Sequence, residues 1–211
     1  PERPEAYRYF HERWLRPLPV PGAHAGHNRF VWNLRLPQPK APDYDFSIAA
    51  TPFTDTATVP QGALVVPGTY RVRLKVGGAV LEQPLEVRMD PRSDTPLAAV
   101  EEQAALLRDI TTALAQATDA TQAAGQRLEV LTADKKSAAQ AAAKALQPVH
   151  DGLATAASEL NTLAVDMESA DGPPTGPQRA LWESTRQALG ALLQQWQAIA
   201  PPAKAVPGQR R

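Results

Sequence analysis

The chain contains no cysteine, which excludes disulfide bonds, zinc sites built from thiolates and thiol nucleophiles. It also lacks an apolar run of about eighteen residues, so the sequence predicts no membrane-spanning segment. Lys and Arg number 22, and so do Asp and Glu. That balance argues against nucleic acid or an anionic membrane surface as the partner. No G-x-S-x-G, H-E-x-x-H, Walker or G-x-G-x-x-G motif occurs, and the sequence predicts no catalytic residue, metal or cofactor.

The N-terminal stretch is unusually rich in aromatic residues and proline. The chain opens at Pro1 without a methionine or a signal-like apolar segment, so we expect a fragment or a processed chain. Residues 1–28 predict an extended strap that lies against another surface, either of this chain or of a preceding domain. His24 and His27 have H-x-x-H spacing, but no third or fourth metal ligand is evident nearby. The interaction residues predicted in the strap are Tyr7, Tyr9, Phe10 and Trp14.

The best-specified element is a β-hairpin over residues 67–89. Its first strand alternates apolar with basic side chains, which is typical of a strand with one buried face. Gly77 and Gly78 form a two-residue loop suited to a type I′ turn, so residues whose numbers sum to 155 should lie opposite one another. The pattern predicts a buried apolar face, an Arg73–Glu82 pair on the wet face, and an edge or bulge at Pro84.

A second strand and a long connection precede this hairpin. Residues 29–36 alternate in the manner of a strand, and residues 37–66 are an irregular stretch rich in Pro, Asp and Thr. Together residues 29–92 predict a small antiparallel β-sandwich of the immunoglobulin-like kind. Asp43 and Asp45 offer two carboxylates for acid–base chemistry or calcium, although a solvated turn explains them more simply, since an acid–base pair needs an opposed partner that the sequence does not show.

Residues 93–200 change to a composition rich in Ala, Leu and Gln with helical spacing. Three apolar stripes, from Leu107 to Leu131, from Leu146 to Met167 and from Leu181 to Ile199, predict three helices in an up-down-up bundle, with breaks near Asp134 and at residues 171–174. Thr175 and Gln178 have the spacing of a capping box, and Pro148 predicts a kink or restart in the second helix. The same heptads are compatible with a homo-oligomer. Residues 201–211 predict a disordered tail. The fold class is therefore α+β, a small sandwich followed by a three-helix bundle.

Four segments resemble one family. Residues 27–35 (HNRFVWNLR) resemble an H-R-F-V-W-D-L-R strand, with Asn33 in the place of the usual Asp, so no carboxylate role is implied there. Residues 62–74, 84–92 and 170–175 also resemble segments of that family. It comprises the C-terminal regions of large secreted bacterial proteins with a sortilin-like, BNR-repeat β-propeller, often described as glycosyl hydrolases. The resemblance implies an exported location, extracellular or periplasmic, and a propeller domain or chain as the partner.

The prediction of function rests on the resemblance and on the absence of catalytic motifs from the sequence. We expect a non-catalytic accessory or assembly module, since a propeller carrying any active site lies outside these residues. One alternative is a glycoside-hydrolase-type enzyme to which Asp43 or Asp45 contributes loop carboxylates. Another is a carbohydrate- or peptide-binding module that uses the sheet edge near Pro84.

Overall fold

A computed structural model of the chain describes residues 20–42, 44–46 and 57–199. Its elements are two very short strands, one hairpin of two longer strands, and three helices. In chain order they are β1 (Asp45–Phe46), β2 (Thr58–Val59), β3 (Gly68–Val76), β4 (Ala79–Val87), α1 (Leu97–Ala133), α2 (Ser137–Met167) and α3 (Gly176–Ile199).

The predicted immunoglobulin-like sandwich is wrong. The described part of the chain is mostly helical and holds two separate two-stranded antiparallel sheets, β1–β2 and β3–β4, within a mixed α+β architecture. A sandwich requires two larger sheets whose inner faces interdigitate. Here β1 and β2 have two residues each, which leaves too little strand to cover the nine-residue strands of the hairpin.

The strand predicted over residues 29–36 does not form. Its only ladder contact in the described residues is an isolated antiparallel bridge between Arg35 and Leu64. Leu34 has a φ of 59°, in the left-handed region that an extended strand excludes. The side chain of Asn33 accepts a hydrogen bond from the Arg35 backbone amide at 3.2 Å, which favours a local turn over a ladder. The alternation of Phe30 to Leu36 therefore does not generate a buried face, and both end residues are exposed.

The hairpin has the predicted register. Gly77 and Gly78 have φ values of 53° and 82°, which only glycine adopts without strain, and they join Val76 directly to its partner Ala79. The register then places Leu74 opposite Leu81, as the turn requires. The predicted burial of one face is wrong, because apolar side chains on both strands are exposed.

The chain divides into two compact units. Unit 1 comprises the described residues within 1–39, 43–108 and 165–174, and unit 2 those within 40–42, 109–164 and 175–211. Unit 1 therefore contains the hairpin and the N-terminal end of α1, whereas unit 2 contains most of the helical residues. We describe each unit by itself.

In unit 2 the three helices run antiparallel to their chain neighbours. The Gly125 Cα on α1 faces the His150 ring on α2, and the Thr185 hydroxyl on α3 donates to Glu159 on α2 at 2.8 Å. The stripes predicted on α1 and α2 supply this core, whereas Leu181 and Ile199 on the predicted α3 stripe stay partly exposed. The largest fully buried core side chains of unit 2 are Ile110, Leu114, Leu146, Leu153 and Leu160.

Local signals set the helix ends. Thr175 and Gln178 form the predicted capping box: each backbone amide donates to the other residue's side-chain oxygen, at 2.8 and 3.3 Å. The predicted break after α1 is confirmed, since α1 ends at Ala133 and α2 begins at Ser137. Pro148 lies inside the continuous helix α2, so the predicted restart does not occur.

Candidate functional site

One face of the β3–β4 hairpin is apolar and open to solvent. Side chains alternate along a strand, so β3 residues two apart share a face with their partners across the ladder. The register brings Leu74 and Leu81 side by side on that face. Leu74 is 52% exposed and Val76 near the turn is 62% exposed, values that belong to surface rather than core. The exposed residues that define this apolar hairpin face are Val72, Leu74, Val76 and Leu81.

The opposite face of the hairpin is charged. Glu82 accepts hydrogen bonds from Arg73 at 2.6 Å and from Arg71 at 3.2 Å, so one carboxylate bridges two guanidinium groups. This arrangement confirms the predicted Arg73–Glu82 pair. Lys75 follows on the same face of β3, opposite Val80. The two faces are thus chemically distinct, and only one suits contact with an apolar surface.

The base of the hairpin is anchored to other residues of unit 1. The Tyr70 hydroxyl donates to the Val66 carbonyl at 2.5 Å, and the Tyr70 ring meets the Trp32 ring edge-on with centroids 6.0 Å apart. Trp32 in turn donates its indole N–H to the Arg35 carbonyl at 2.9 Å. These contacts fix where the hairpin begins, and they leave the residues toward the Gly77–Gly78 turn exposed.

A largely buried ion pair lies elsewhere in unit 1. Arg35 Nη1 contacts Glu168 Oε1 at 2.6 Å and also donates to the Gly62 carbonyl at 2.8 Å. Burial raises the pKa of Glu168 above its ordinary value, and the nearby Arg35 charge offsets only part of that rise. A Cβ at position 62 would lie 1.8 Å from the Leu36 carbonyl oxygen, so only glycine permits this approach of the two backbones.

Unit 1 also contains a partly open cavity of about 300 Å³. Its walls come from the loop around Leu34, residues 63–67, the end of β4 with the residues after it, the first turns of α1 and the C-terminal end of α2. Most wall residues are apolar. The charged groups at the wall are three carboxylates and one guanidinium, namely Asp90, Glu168, Asp171 and Arg88.

Of the predicted site residues, Asp45 is the one that lies among the described residues. Tyr7, Tyr9, Phe10, Trp14 and Asp43 lie outside the described residues, as does the predicted tail 201–211. Asp45 belongs to β1, where its backbone pairs with Val59.

The two histidines of the H-x-x-H motif belong to an exposed turn. The Asn28 side chain closes this turn, accepting from the His24 amide at 3.2 Å and donating to the His24 carbonyl at 2.8 Å. Across the described ranges, no group of three or more His, Cys, Asp or Glu side chains could hold a metal ion. His24 and His27 are thus placed in a hydrogen-bonded turn rather than in a ligand cluster.

Sequence reasoning missed Arg35 and Glu168. They lie 133 positions apart, and each belongs to a segment with several other charged residues, so no spacing signal links them. The cavity was missed for the same reason, because its walls come from five separate segments.

No helix in the described ranges is both long and apolar enough to cross a bilayer. Comparison of the chain with protein-family models, with curated proteins and with solved structures finds no match.

Proposed function

We propose that this chain is a non-catalytic accessory module that docks onto a β-sheet domain of an exported protein through the apolar hairpin face. The observation that carries the proposal is the exposure of Val72, Leu74, Val76 and Leu81 on one face of a well-registered hairpin. An isolated two-stranded hairpin is marginally stable in water, and a partner that covers its apolar face supplies the missing support. Contiguous exposed apolar surface of this kind is typical of interaction sites.

The energy available at this face suits specific binding. Full burial of a Val or Leu side chain is worth about 1.5–3 kcal/mol. Since these side chains are already about half covered, burying the remainder of all four would contribute roughly 3–6 kcal/mol before the costs of association. A further contact is therefore needed for tight binding, and we propose the aromatic strap residues Tyr7, Tyr9, Phe10 and Trp14 for that role.

The resemblance at residues 27–35, 62–74, 84–92 and 170–175 supports a β-propeller as the partner and an extracellular or periplasmic location. A propeller presents the kind of surface that the face requires, because its blades are antiparallel sheets. The charged opposite face, with Arg71, Arg73 and Lys75, would remain in water.

The test is a calorimetric titration of this chain with the separately expressed propeller domain that the resemblance places before it. The double variant Leu74→Ser, Leu81→Ser should weaken binding by roughly thirtyfold, since each substitution removes about 1 kcal/mol of apolar contact. The matched control Lys75→Ser alters the opposite face and should bind as the unmodified chain does.

Two results would contradict the proposal. One is unchanged affinity of the double variant. The other is a concentration-dependent dimer that sedimentation detects in the isolated chain and that Leu74→Ser dissociates, because the occupant of the face would then be a second copy.

A specific observation also favours the peptide- or carbohydrate-binding alternative. A concave surface of about 440 Å³ lies on the hairpin and is lined by residues of both strands, including Tyr70, Arg71, Gln83 and Pro84. An extended peptide could also add to an outer edge of this two-stranded sheet through backbone hydrogen bonds. Titration of the chain with extended peptides and with glycans distinguishes this function from docking through the apolar hairpin face. The alternative requires saturable binding that the Leu74→Ser substitution does not weaken.

A further inference from the structure

The cavity in unit 1 is independent of the hairpin face and has the features of a small-molecule site. Its volume of about 300 Å³ lies at the lower end of the range of about 300–1,000 Å³ that ligand pockets show. Apolar side chains from separate segments converge on it, including Val65, Val87, Leu107 and Met167. This lining suits a compact apolar body of the size of one substituted ring.

The charged groups at the wall indicate the head group of such a ligand. Three carboxylates face one guanidinium there, and that guanidinium, Arg88, donates to Glu86 at 2.6 Å. Asp90 is likewise held by Arg92 at 2.5 Å. The other two carboxylates, Glu168 and Asp171, line the α2 end of the cavity, and Glu168 is paired with Arg35, so negative charge exceeds positive charge at that end.

Glu168 is the best placed of these groups to receive a cation. Only 16% of its side chain is exposed, and Arg35 meets it through a single contact, from Nη1 to Oε1. The raised pKa of Glu168 means that Arg35 leaves the charge of this carboxylate incompletely compensated. A second cation would complete that compensation in a setting where water screens charges weakly.

The Gln103 side chain holds one wall of the cavity in place by hydrogen bonds. Its side-chain nitrogen donates to the Met167 carbonyl and, at 2.8 Å, to the Ala170 carbonyl, so it holds the end of α2 against α1 within unit 1. Glu168 lies between these two carbonyl groups in sequence. Its carboxylate is thus presented from a preorganised turn, which reduces the ordering cost of binding.

We propose that the unit 1 cavity binds a small organic amine, with the apolar body among Val65, Val87, Leu107 and Met167 and the ammonium group beside Glu168 and Asp171. The proposal concerns a ligand site on this chain and does not depend on the proposed docking of the hairpin.

The test compares three probes that share one apolar body: phenethylamine, phenethyl alcohol and hydrocinnamate. Calorimetric titration of the full chain should rank the amine first, roughly tenfold tighter than the alcohol, with the acid weakest, because a hydrogen bond between two charged groups is stronger than one from a neutral hydroxyl. Amide chemical shifts measured in the same titration should move at Val87, Leu107 and Met167. Equal affinity for the three probes, no binding of any, or shifts confined to other residues would overturn the proposal.

Two variants locate the recognition. Glu168→Gln keeps the shape of the side chain and should bring the affinity for phenethylamine down to that for phenethyl alcohol. Glu101→Gln makes the same chemical change at an exposed position of α1 outside the cavity and should leave the ranking unchanged. Far-UV circular dichroism establishes that each variant folds. If Glu168→Gln does not fold, Asp171→Asn takes its place. An unchanged preference for the amine in the variant that folds contradicts the assignment.

Discussion

The exposure of the hairpin face makes a quantitative prediction about Leu74. If that face is a surface, Leu74→Ala removes a side chain that is already 52% exposed and creates no cavity, because water fills the space. The free energy of unfolding of the isolated chain should then fall by about 1 kcal/mol or less. Leu107, also in unit 1, is only 4% exposed, and Leu107→Ala should cost about 2–5 kcal/mol.

The assay is urea unfolding of the isolated chain, followed by the fluorescence of Trp32. This residue reports on unit 1 because its ring packs edge-on against Tyr70. The other tryptophans, Trp14, Trp182 and Trp196, are replaced by Phe so that the signal has one source. Costs of similar size for Leu74→Ala and Leu107→Ala would refute the reasoning, since Leu74 would then be a core residue of the isolated chain.

Three further predictions concern stability. Gly62→Ala should lower the free energy of unfolding of unit 1 by more than about 3 kcal/mol, because its Cβ would lie 1.8 Å from the Leu36 carbonyl oxygen; an unchanged urea midpoint would contradict this. The raised pKa of Glu168 means that the folded chain binds this proton more tightly than the unfolded chain does. Its contribution to the free energy of unfolding is therefore complete below the ordinary pKa and is lost as the pH rises through the raised pKa. Urea midpoints measured upward from about pH 4 should show the loss, and Glu168→Gln should abolish it. Thr175→Ala should cost about 1 kcal/mol and Thr175→Ser much less, as thermal unfolding of unit 2 would reveal; equal costs would argue against the cap.

Local chemistry allowed much of the secondary structure to be predicted. Two consecutive glycines at 77 and 78 permit a turn with positive φ at both positions, and that turn alone determines which residues pair across the hairpin. The capping box at Thr175 similarly marks the start of α3. In each case the signal and the structure it specifies lie within a few residues of one another.

Burial could not be predicted in the same way. The alternation along β3 indicates that one face is apolar, but it does not indicate what covers that face. The sandwich prediction assumed that a second sheet covers the apolar face. The turn at Asn33 and Leu34 prevents residues 29–36 from forming a strand of that sheet. The domain boundary near residue 92 stays a prediction.

The ion pair and the cavity required the tertiary structure. Arg35 donates both to Glu168 and to the Gly62 carbonyl, and neither charge stands out in the sequence. In the sequence Gly62 resembles any other loop glycine. The close approach of the Leu36 carbonyl oxygen, which requires glycine at this position, is evident only from the structure.

Site-specific photo-cross-linking tests the docking of the hairpin face most directly. The benzophenone amino acid p-benzoylphenylalanine is introduced at Leu74 in one variant and at Lys75 in another, so that adjacent positions sample opposite faces of the same strand. In a mixture with the propeller domain, we predict a cross-linked product from position 74 and none from position 75. Cross-linking from position 75 alone, or from neither position at saturating propeller concentration, would contradict the account.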